Sequence, residues 1–183
     1  VWNYTFDTSG RATQITDPLS RVTQVQWTTS APLNQVFKVT EPTGEFMQYG
    51  YNANGYKTSE QDQLGNQTTF TYQDLAVDAN DVTGNWEAGR AIGNISQLAS
   101  VTRPRGNATT GNPTDYKWTF TYTQTPGDST TGLVKTVSDP LANVTTNTWN
   151  ANGTLATQTL PGNGDGITRT TTYNTYDANG LPT

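Results

Sequence analysis

Carboxylates are the groups with most chemical capacity in this sequence. It holds 15 Asp and Glu against 10 Lys and Arg, with no Cys and no His. Those two absences remove disulfides, thiolate nucleophiles, the usual zinc sites, the His-based triads and the commonest general base. Asp17 and Asp139 head matching Asp-Pro-Leu triplets. Acid catalysis by paired carboxylates needs two of them close enough to share a proton. These two recur at equivalent points along the chain instead, which predicts a role in forming turns and nominates no catalytic residue. Asp78-Ala-Asn80-Asp81 and Asn163-Gly-Asp165-Gly166 are oxygen-rich enough for Ca²⁺, but neither has the EF-hand spacing or its distal Glu. Both read as solvated loops, so no metal and no cofactor is expected. Trp86 stands outside any strand period and is the best candidate for an exposed indole that stacks on a sugar ring.

The formal charge of −5 comes with no basic cluster beyond Arg103-Pro-Arg105. No stripe exists to neutralise a run of phosphates, which argues against a nucleic-acid partner. No run approaches the length of about 18 apolar residues that a spanning helix needs, so no membrane span is expected. The start, Val1-Trp-Asn-Tyr, is neither a signal peptide nor an initiator Met and reads as an excision from something longer. Leu, Ile, Val and Phe number only 30, whereas aromatics make up 10% and Thr, at 37 copies, is the commonest residue. Thr with aromatics is a strand composition, and it predicts a β protein whose thin core is mostly rings. The sequons Asn66-Gln-Thr68 and Asn143-Val-Thr145 are what chance supplies at this Asn and Thr content.

The elements that would position these residues come from a repeat. Phe6-Asp-Thr-Ser-Gly10, Tyr51-Asn-Ala-Asn-Gly55, Trp149-Asn-Ala-Asn-Gly153 and Tyr176-Asp-Ala-Asn-Gly180 align as an aromatic, an acid or amide, two small residues and Gly. A second motif, often with Pro, appears in Asp17-Pro-Leu-Ser20, Glu41-Pro-Thr-Gly44, Asp62-Gln-Leu-Gly65, Arg103-Pro-Arg-Gly106, Asp139-Pro-Leu-Ala142 and Leu160-Pro-Gly162. The first motif's Gly precedes the second motif's head by seven residues in 10 to 17, 55 to 62, 132 to 139 and 153 to 160. That head precedes the next aromatic by ten in 17 to 27, 41 to 51, 62 to 72 and 139 to 149. The unit is therefore 21 residues with insertions, and its anchors are Phe6, Trp27, Tyr51, Tyr72, Tyr122, Trp149 and Tyr176. The polar run within 74–95 is expected to loop out of an otherwise single array over 1–183 of about seven units that begins and ends inside a repeat.

Counting back from an anchor in twos keeps one face aromatic, as in Trp118-Thr-Phe120-Thr-Tyr122, and leaves Thr, Gln, Asn and Lys on the other. Trp149 and Tyr176 have Asn147 and Asn174 two residues back, so the pattern thins toward the end. After each turn, apolar residues sit at the second position (Ala12, Val36, Leu98, Val134, Leu155) and the fifth (Ile15, Val39, Val101, Val137). A step of three fits a strand with a bulge. The turn glycines Gly10, Gly55, Gly132, Gly153 and Gly180 follow small or amide residues, and Asn-Gly predicts a tight type I′ hairpin. Pro in the second motif belongs at a bend or a sheet edge.

With aromatic-Asp-x-x-Gly-Arg, a seven-residue step and Asp-Pro-Leu, seen best in Tyr4-Thr-Phe6-Asp-Thr-Ser-Gly-Arg11 through Leu19, the chain resembles the YD-repeat or Rhs-repeat family. The literal Tyr-Asp pair occurs once, at Tyr176-Asp177, and Ser20 and Ala142 stand where that family has Gly. The resemblance implies an all-β fold of serial antiparallel hairpins in a twisted, open spiral sheet. Over many repeats such sheets wall the shells of bacterial polymorphic toxins and insecticidal toxin complexes, and they are similar to the teneurin ectodomain. Shells of this family can carry an aspartyl self-cleavage site, for which Asp17 and Asp139, as ordinary repeat positions, are poor candidates. The implied function is non-enzymatic: a structural segment of a large secreted or surface protein. Its partners would be the remaining repeats of a parent chain or other copies of itself. Two other readings are a fibre subunit joined through edge strands and a glycan-binding adhesin.

Overall fold

The computed structural model describes residues 1–75, 95–123, 132–162, 166–177, 180 and 183. Among the described residues thirteen strands lie in one open sheet in the order of the chain. They are β1 (Asn3–Phe6), β2 (Ala12–Thr16), β3 (Val22–Trp27), β4 (Val36–Thr40), β5 (Phe46–Tyr51), β6 (Lys57–Asp62) and β7 (Gln67–Leu75). After these come β8 (Ile95–Thr102), β9 (Lys117–Tyr122), β10 (Val134–Ser138), β11 (Val144–Trp149), β12 (Leu155–Leu160) and β13 (Arg169–Thr172). Asp74 and Leu75 belong to β7 and Ile95 to β8; residues 76–94 of the expected insertion lie outside the described residues. The chain divides into two compact units, Val1–Phe70 with Thr102–Tyr116, and Thr71–Val101 with Lys117–Thr183.

The hairpins β1–β2, β3–β4, β5–β6, β9–β10 and β11–β12 carry the same irregularity. Thr5 faces Gln14 and Phe6 faces Ala12, so Thr13 is the extra residue. Phe37 is skipped in the same way between Val36 and Lys38, Thr58 between Lys57 and Ser59, Lys135 between Val134 and Thr136, and Ala156 between Leu155 and Thr157. A bulge that adds one residue turns a sequence step of three into a face step of two. It therefore places Val36 with Val39, and Val134 with Val137, on the face of the anchor rings.

The register sorts the faces. In the first unit Val25, Val39 and Met47 are cross-strand partners on the ring face. The row Gln26, Lys38, Gln48, Gln61, Gln67 crosses β3 to β7 on the other face. In the second unit the polar face carries an unbroken row of threonines, Thr121, Thr136, Thr146, Thr159 and Thr170, over β9 to β13. Hydroxyl pairs tie its two ends: Thr121 with Thr136, and Thr159 with Thr170 at 2.8 Å. Cross-strand Thr pairs of this kind stabilise a sheet by a few tenths of a kcal/mol up to about 1 kcal/mol each.

The turns differ from expectation. Gly10 N–H donates to Asp7 O at 3.0 Å and Asp7 N–H to Arg11 O at 2.9 Å, and the same pair of bonds closes Asn52–Tyr56 and Asn150–Thr154. Only the last loop residue has positive φ: Gly10 at 78°, Gly55 at 84°, Gly153 at 81°. A type I′ turn would require positive φ at both central residues, including Asn54 and Asn152, which do not have it. These are three-residue loops, a type I turn followed by a left-handed residue. The second motif uses the identical device at Asp17–Arg21, Glu41–Glu45, Asp62–Asn66 and Asp139–Asn143. Its Pro occupies the position whose φ a type I turn already fixes near the proline value.

Ser20 and Ala142 occupy the left-handed position with φ 63° each. A Cβ there costs about 1–2 kcal/mol, part of which glycine returns as unfolded-chain entropy. Ala142→Gly is thus expected to raise stability by about 1 kcal/mol, read as an upward shift of the urea midpoint; an unchanged or lowered midpoint would contradict the strain.

Arg103-Pro-Arg-Gly106 departs from the other copies. It opens a short helix α1 (Pro104–Asn107), and Gly106 is buried with no positive φ. A 3-10 turn at Pro113–Tyr116 follows before the chain re-enters the sheet, and Arg103 N–H closes the excursion on Tyr116 O at 3.0 Å. Asn107 pins it to the sheet: its Nδ2 donates to Gln67 O at 2.7 Å and Thr102 O at 3.0 Å, while Thr69 Oγ1 donates to its Oδ1 at 3.1 Å.

Full burial is scarce. Among the described residues only Ser100, Thr102 and Gly106 are buried, and Trp2, just before β1, with Tyr4 and Phe6 on it, are 54–57% exposed. A sheet needs a second layer to cover its apolar face; among the described residues Tyr4 and Phe6 stack with ring centroids 6.4 Å apart, and the Arg11 and Lys57 cations lie over the Trp27 and Phe70 rings.

Candidate functional site

The recurrent site is the corner where an anchor ring meets the preceding strand. Trp27 Nε1 donates to Ala12 O at 2.8 Å, Tyr51 Oη to Val36 O at 2.8 Å, Tyr122 Oη to Leu98 O at 2.8 Å and Trp149 Nε1 to Val134 O at 3.0 Å. Three of these links span 15 residues and the Tyr122 link spans 24. Ala12, Val36 and Val134 each stand just before the bulge, beyond the last ladder pair with the next strand: Gln14 with Gln24, Lys38 with Gln48, Thr136 with Thr146. A carbonyl so placed would lack a cross-strand partner, and the ring tip supplies one while its body covers the gap. Only aromatics that combine a large apolar body with a donor can do both.

The other anchors differ. Phe6 has no donor and is 57% exposed. Tyr176 is half-buried and its hydroxyl has no partner among the described residues. Tyr72 lies half-buried in β7. Where Asn147 replaces a ring, hydrogen bonds take over: its Nδ2 donates to Val134 O at 3.2 Å, and Gln158 Nε2 donates to its Oδ1 at 3.2 Å. Burial pushes the Tyr51 and Tyr122 hydroxyls up from their ordinary pKa.

The turn heads form the second constellation. Asp17 Oδ1 accepts from Leu19 N at 2.8 Å and Arg21 N at 2.9 Å, and its Oδ2 from Arg21 Nε at 2.6 Å. Asp139 is held alike by Leu141 N, Asn143 N and Asn143 Nδ2. Asp7 and Asp62 repeat the pattern with Arg11 and Asn66. Both sequon asparagines, Asn66 and Asn143, are thus turn residues. Gly132 closes its turn on Thr123 O at 3.0 Å, and Asn34, with φ 65°, fills the left-handed position of the Thr28–Gln35 turn. Gly180 donates to Asp177 O at 3.0 Å.

These bonds hold four carboxyls below the usual carboxylate range. The main causes are the Arg11 and Arg21 backbone N–H groups for Asp7 and Asp17, and the Asn66 and Asn143 amides for Asp62 and Asp139. A carboxyl depressed in the folded state stabilises fully above its unfolded pKa, about 4, and that contribution is lost as pH falls through the folded value. Acid titration of thermal stability should therefore show a loss beginning below about pH 4. The quadruple variant Asp7→Asn, Asp17→Asn, Asp62→Asn and Asp139→Asn should flatten it, because Asn52 already caps its turn from Oδ1 without charge. An unaltered acid limb in that variant would remove these acids as the cause.

Sequence reasoning had not found the caps formed by Asp7, Asp62 and Asn52, the accepting carbonyls or the Asn107 hub. An acid or amide three residues before each turn glycine was the available signal for the caps. Asp78, Asn80, Asp81, Trp86, Asn163 and Asp165 lie outside the described residues. Among the described residues no group of three or more acids could hold a metal ion, and no helix is long and apolar enough to cross a membrane. A cleft of about 750 Å³ beside Trp27 is lined by Asp7, Arg11, Gln14, Gln26, Thr28 and Phe37. Its two charges are spent on each other, Arg11 Nη2 to Asp7 Oδ2 at 2.7 Å.

No family model matches the chain, and no curated protein matches it. Solved structures do. The chain is similar to a stretch of TcdB2-TccC3 without its hypervariable C-terminal region, with TM-score 0.53 and 15% identity over 99% of this chain and 9% of that one. The Photorhabdus luminescens Tc holotoxin pore, with a TccC3 mutation, gives TM-score 0.45 at 15% identity over 99% of this chain and 10% of that one. A porin-like protein from Bacteroides uniformis gives TM-score 0.38 at 16% identity, covering 99% of this chain and 78% of that one. The chain thus spans about a tenth of the Tc toxin chains it matches, and what it shares with TcdB2-TccC3 is the fold, an open antiparallel β-repeat sheet.

Proposed function

We propose that this chain is a non-enzymatic wall segment of a larger YD-repeat protein, secreted or displayed at the cell surface, in which the sheet forms part of a shell or scaffold. The observation that carries the reading is the staple: Trp27, Tyr51, Tyr122 and Trp149 each tie one strand to the strand before it. A device that acts only between neighbours suits an array extended by repetition, with no site gathered at one place. The likeness to a stretch of TcdB2-TccC3 supports it, and so do the turn-head carboxylates, whose oxygens are engaged in closing loops. Partners would be further repeats of the same kind.

The exposed rings of Tyr4 and Phe6 on β1, with Trp2 just before it, favour one second reading, a fibre subunit that adds strands edge to edge. Sedimentation velocity and electron microscopy of the purified chain over a range of concentrations separate the two. Discrete particles that do not lengthen with concentration are expected; filaments of constant width would replace the wall by the fibre. For a glycan-binding role, a glycan array with Trp86→Ala as control is the corresponding test.

A further inference from the structure

Two of the hairpin loops share Asn-Ala-Asn-Gly and nearly the same backbone, yet differ at one side chain. In both, the glycine N–H donates to the loop's first residue: Gly55 to Asn52 O at 3.0 Å and Gly153 to Asn150 O at 2.9 Å. Both glycines sit in the left-handed region, and Asn54 and Asn152 are exposed. Asn152 Oδ1 is held by Thr154, whose N–H donates at 3.1 Å and whose hydroxyl donates at 2.7 Å. At the matching position after Gly55 stands Tyr56, whose N–H donates to Asn52 Oδ1 instead, at 3.0 Å. The Asn54 carboxamide makes no hydrogen bond among the described residues.

We infer that Asn54 is a site of spontaneous modification in which water is the co-reactant and ammonia the leaving group. The Gly55 backbone nitrogen, once it gives up its proton to hydroxide or buffer base, attacks Asn54 Cγ. The C–N bond to the amide nitrogen breaks and leaves as ammonia, closing a five-membered succinimide. Water then opens the ring at either carbonyl, giving aspartate or isoaspartate, with no change of oxidation state. Glycine as the next residue presents no side chain against this approach. An exposed, unheld carboxamide can swing its Cγ toward the nitrogen, whereas Asn152 must first break two bonds to Thr154. The cost of releasing the glycine N–H is common to both loops and cancels in the comparison.

Modification at Asn54 alters the fold locally. The isoaspartate product routes the backbone through Cβ and Cγ, lengthening a loop whose closing bonds, Gly55 to Asn52 and Asn52 to Tyr56 at 2.9 Å, require three residues between Asn52 and Tyr56. The β5–β6 hairpin that carries Tyr51 is the one weakened.

Incubation of the intact chain at mildly alkaline pH, followed by peptide mapping with separation of aspartate from isoaspartate, tests this. At net bond values of about 1 kcal/mol each, the two bonds on Asn152 predict conversion at Asn54 roughly thirtyfold faster. Thr154→Val, which removes the hydroxyl's bond to Asn152 and the one it accepts from Asn150 Nδ2 at 2.9 Å, should speed conversion at Asn152 severalfold and leave Asn54 unchanged. Equal rates at the two sites, or Asn152 leading, would overturn the assignment, as would a Thr154→Val chain in which Asn152 stays slow. Circular dichroism of that variant, unchanged from the parent, shows that the rates compare folded chains.

Discussion

Replacement of Trp149 by alanine should lower the stability of the second unit by about 3 kcal/mol, toward the low end for a large ring because the site is half-buried. Two losses combine: the apolar body that covers the β10–β11 corner and the Nε1–H bond to Val134 O. Trp149→Phe keeps most of the body and should cost about 1 kcal/mol, because Asn147 Nδ2 still donates to the same carbonyl. Since repeat arrays are coupled through neighbours, amide exchange should quicken in β10 to β12, with β2 to β5 little affected. Urea melts with exchange detected by mass spectrometry provide the measurement. If Trp149→Ala costs no more than an exposed substitution such as Lys135→Ala, the ring is not a staple and the interpretation of all four links falls with it.

The second large effect is expected at Gly111, in the excursion between β8 and β9. It has no positive φ, but a Cβ there would run into the Arg105 carbonyl oxygen and lie 3.1 Å from Ala108 O. Backbone atoms cannot yield as the end of a long side chain can, so Gly111→Ala should cost about 3 kcal/mol, the upper range for overpacking. Gly153→Ala is the control, with φ +81° and no atom within 4 Å of the added carbon. It should lose about 1–2 kcal/mol from backbone strain alone. A Gly111→Ala chain as stable as the parent would show that the helix and the 3-10 turn rearrange freely and that Asn107 does not anchor them.

Part of this was legible in the residues, and the division has a physical basis. Alternation over two positions and a turn every seven or ten residues are local signals, because side-chain direction in a strand and φ preference in a loop depend on near neighbours. Those signals were enough to order the hairpins, to place the rings on one face and to require a bulge from the step between Val36 and Val39. Asn54-Gly55 taken as a pair is a type I′ signal, and Asn52 at the head of the loop overrides it. Asn52 Oδ1 accepts from two backbone amides ahead of it and so stabilises a type I turn with only Gly55 left-handed. Arg103-Pro-Arg-Gly106 misled because its four residues match a turn, while the ten that follow, up to Tyr116, supply contacts that favour a helix.

What only the tertiary structure decided is which atoms meet across strands. That Trp27 should donate to Ala12 O follows from a register shifted by Thr13, and a shift of one residue is invisible in composition or period. The same holds for Asn107, whose partners Gln67 and Thr69 lie about forty residues away in sequence. The sequence by itself determined where the chain turns and which side chains share a face, because those are matters of local geometry. The carbonyls that the rings satisfy were decided by the folded sheet, since a hydrogen bond between strands depends on their alignment.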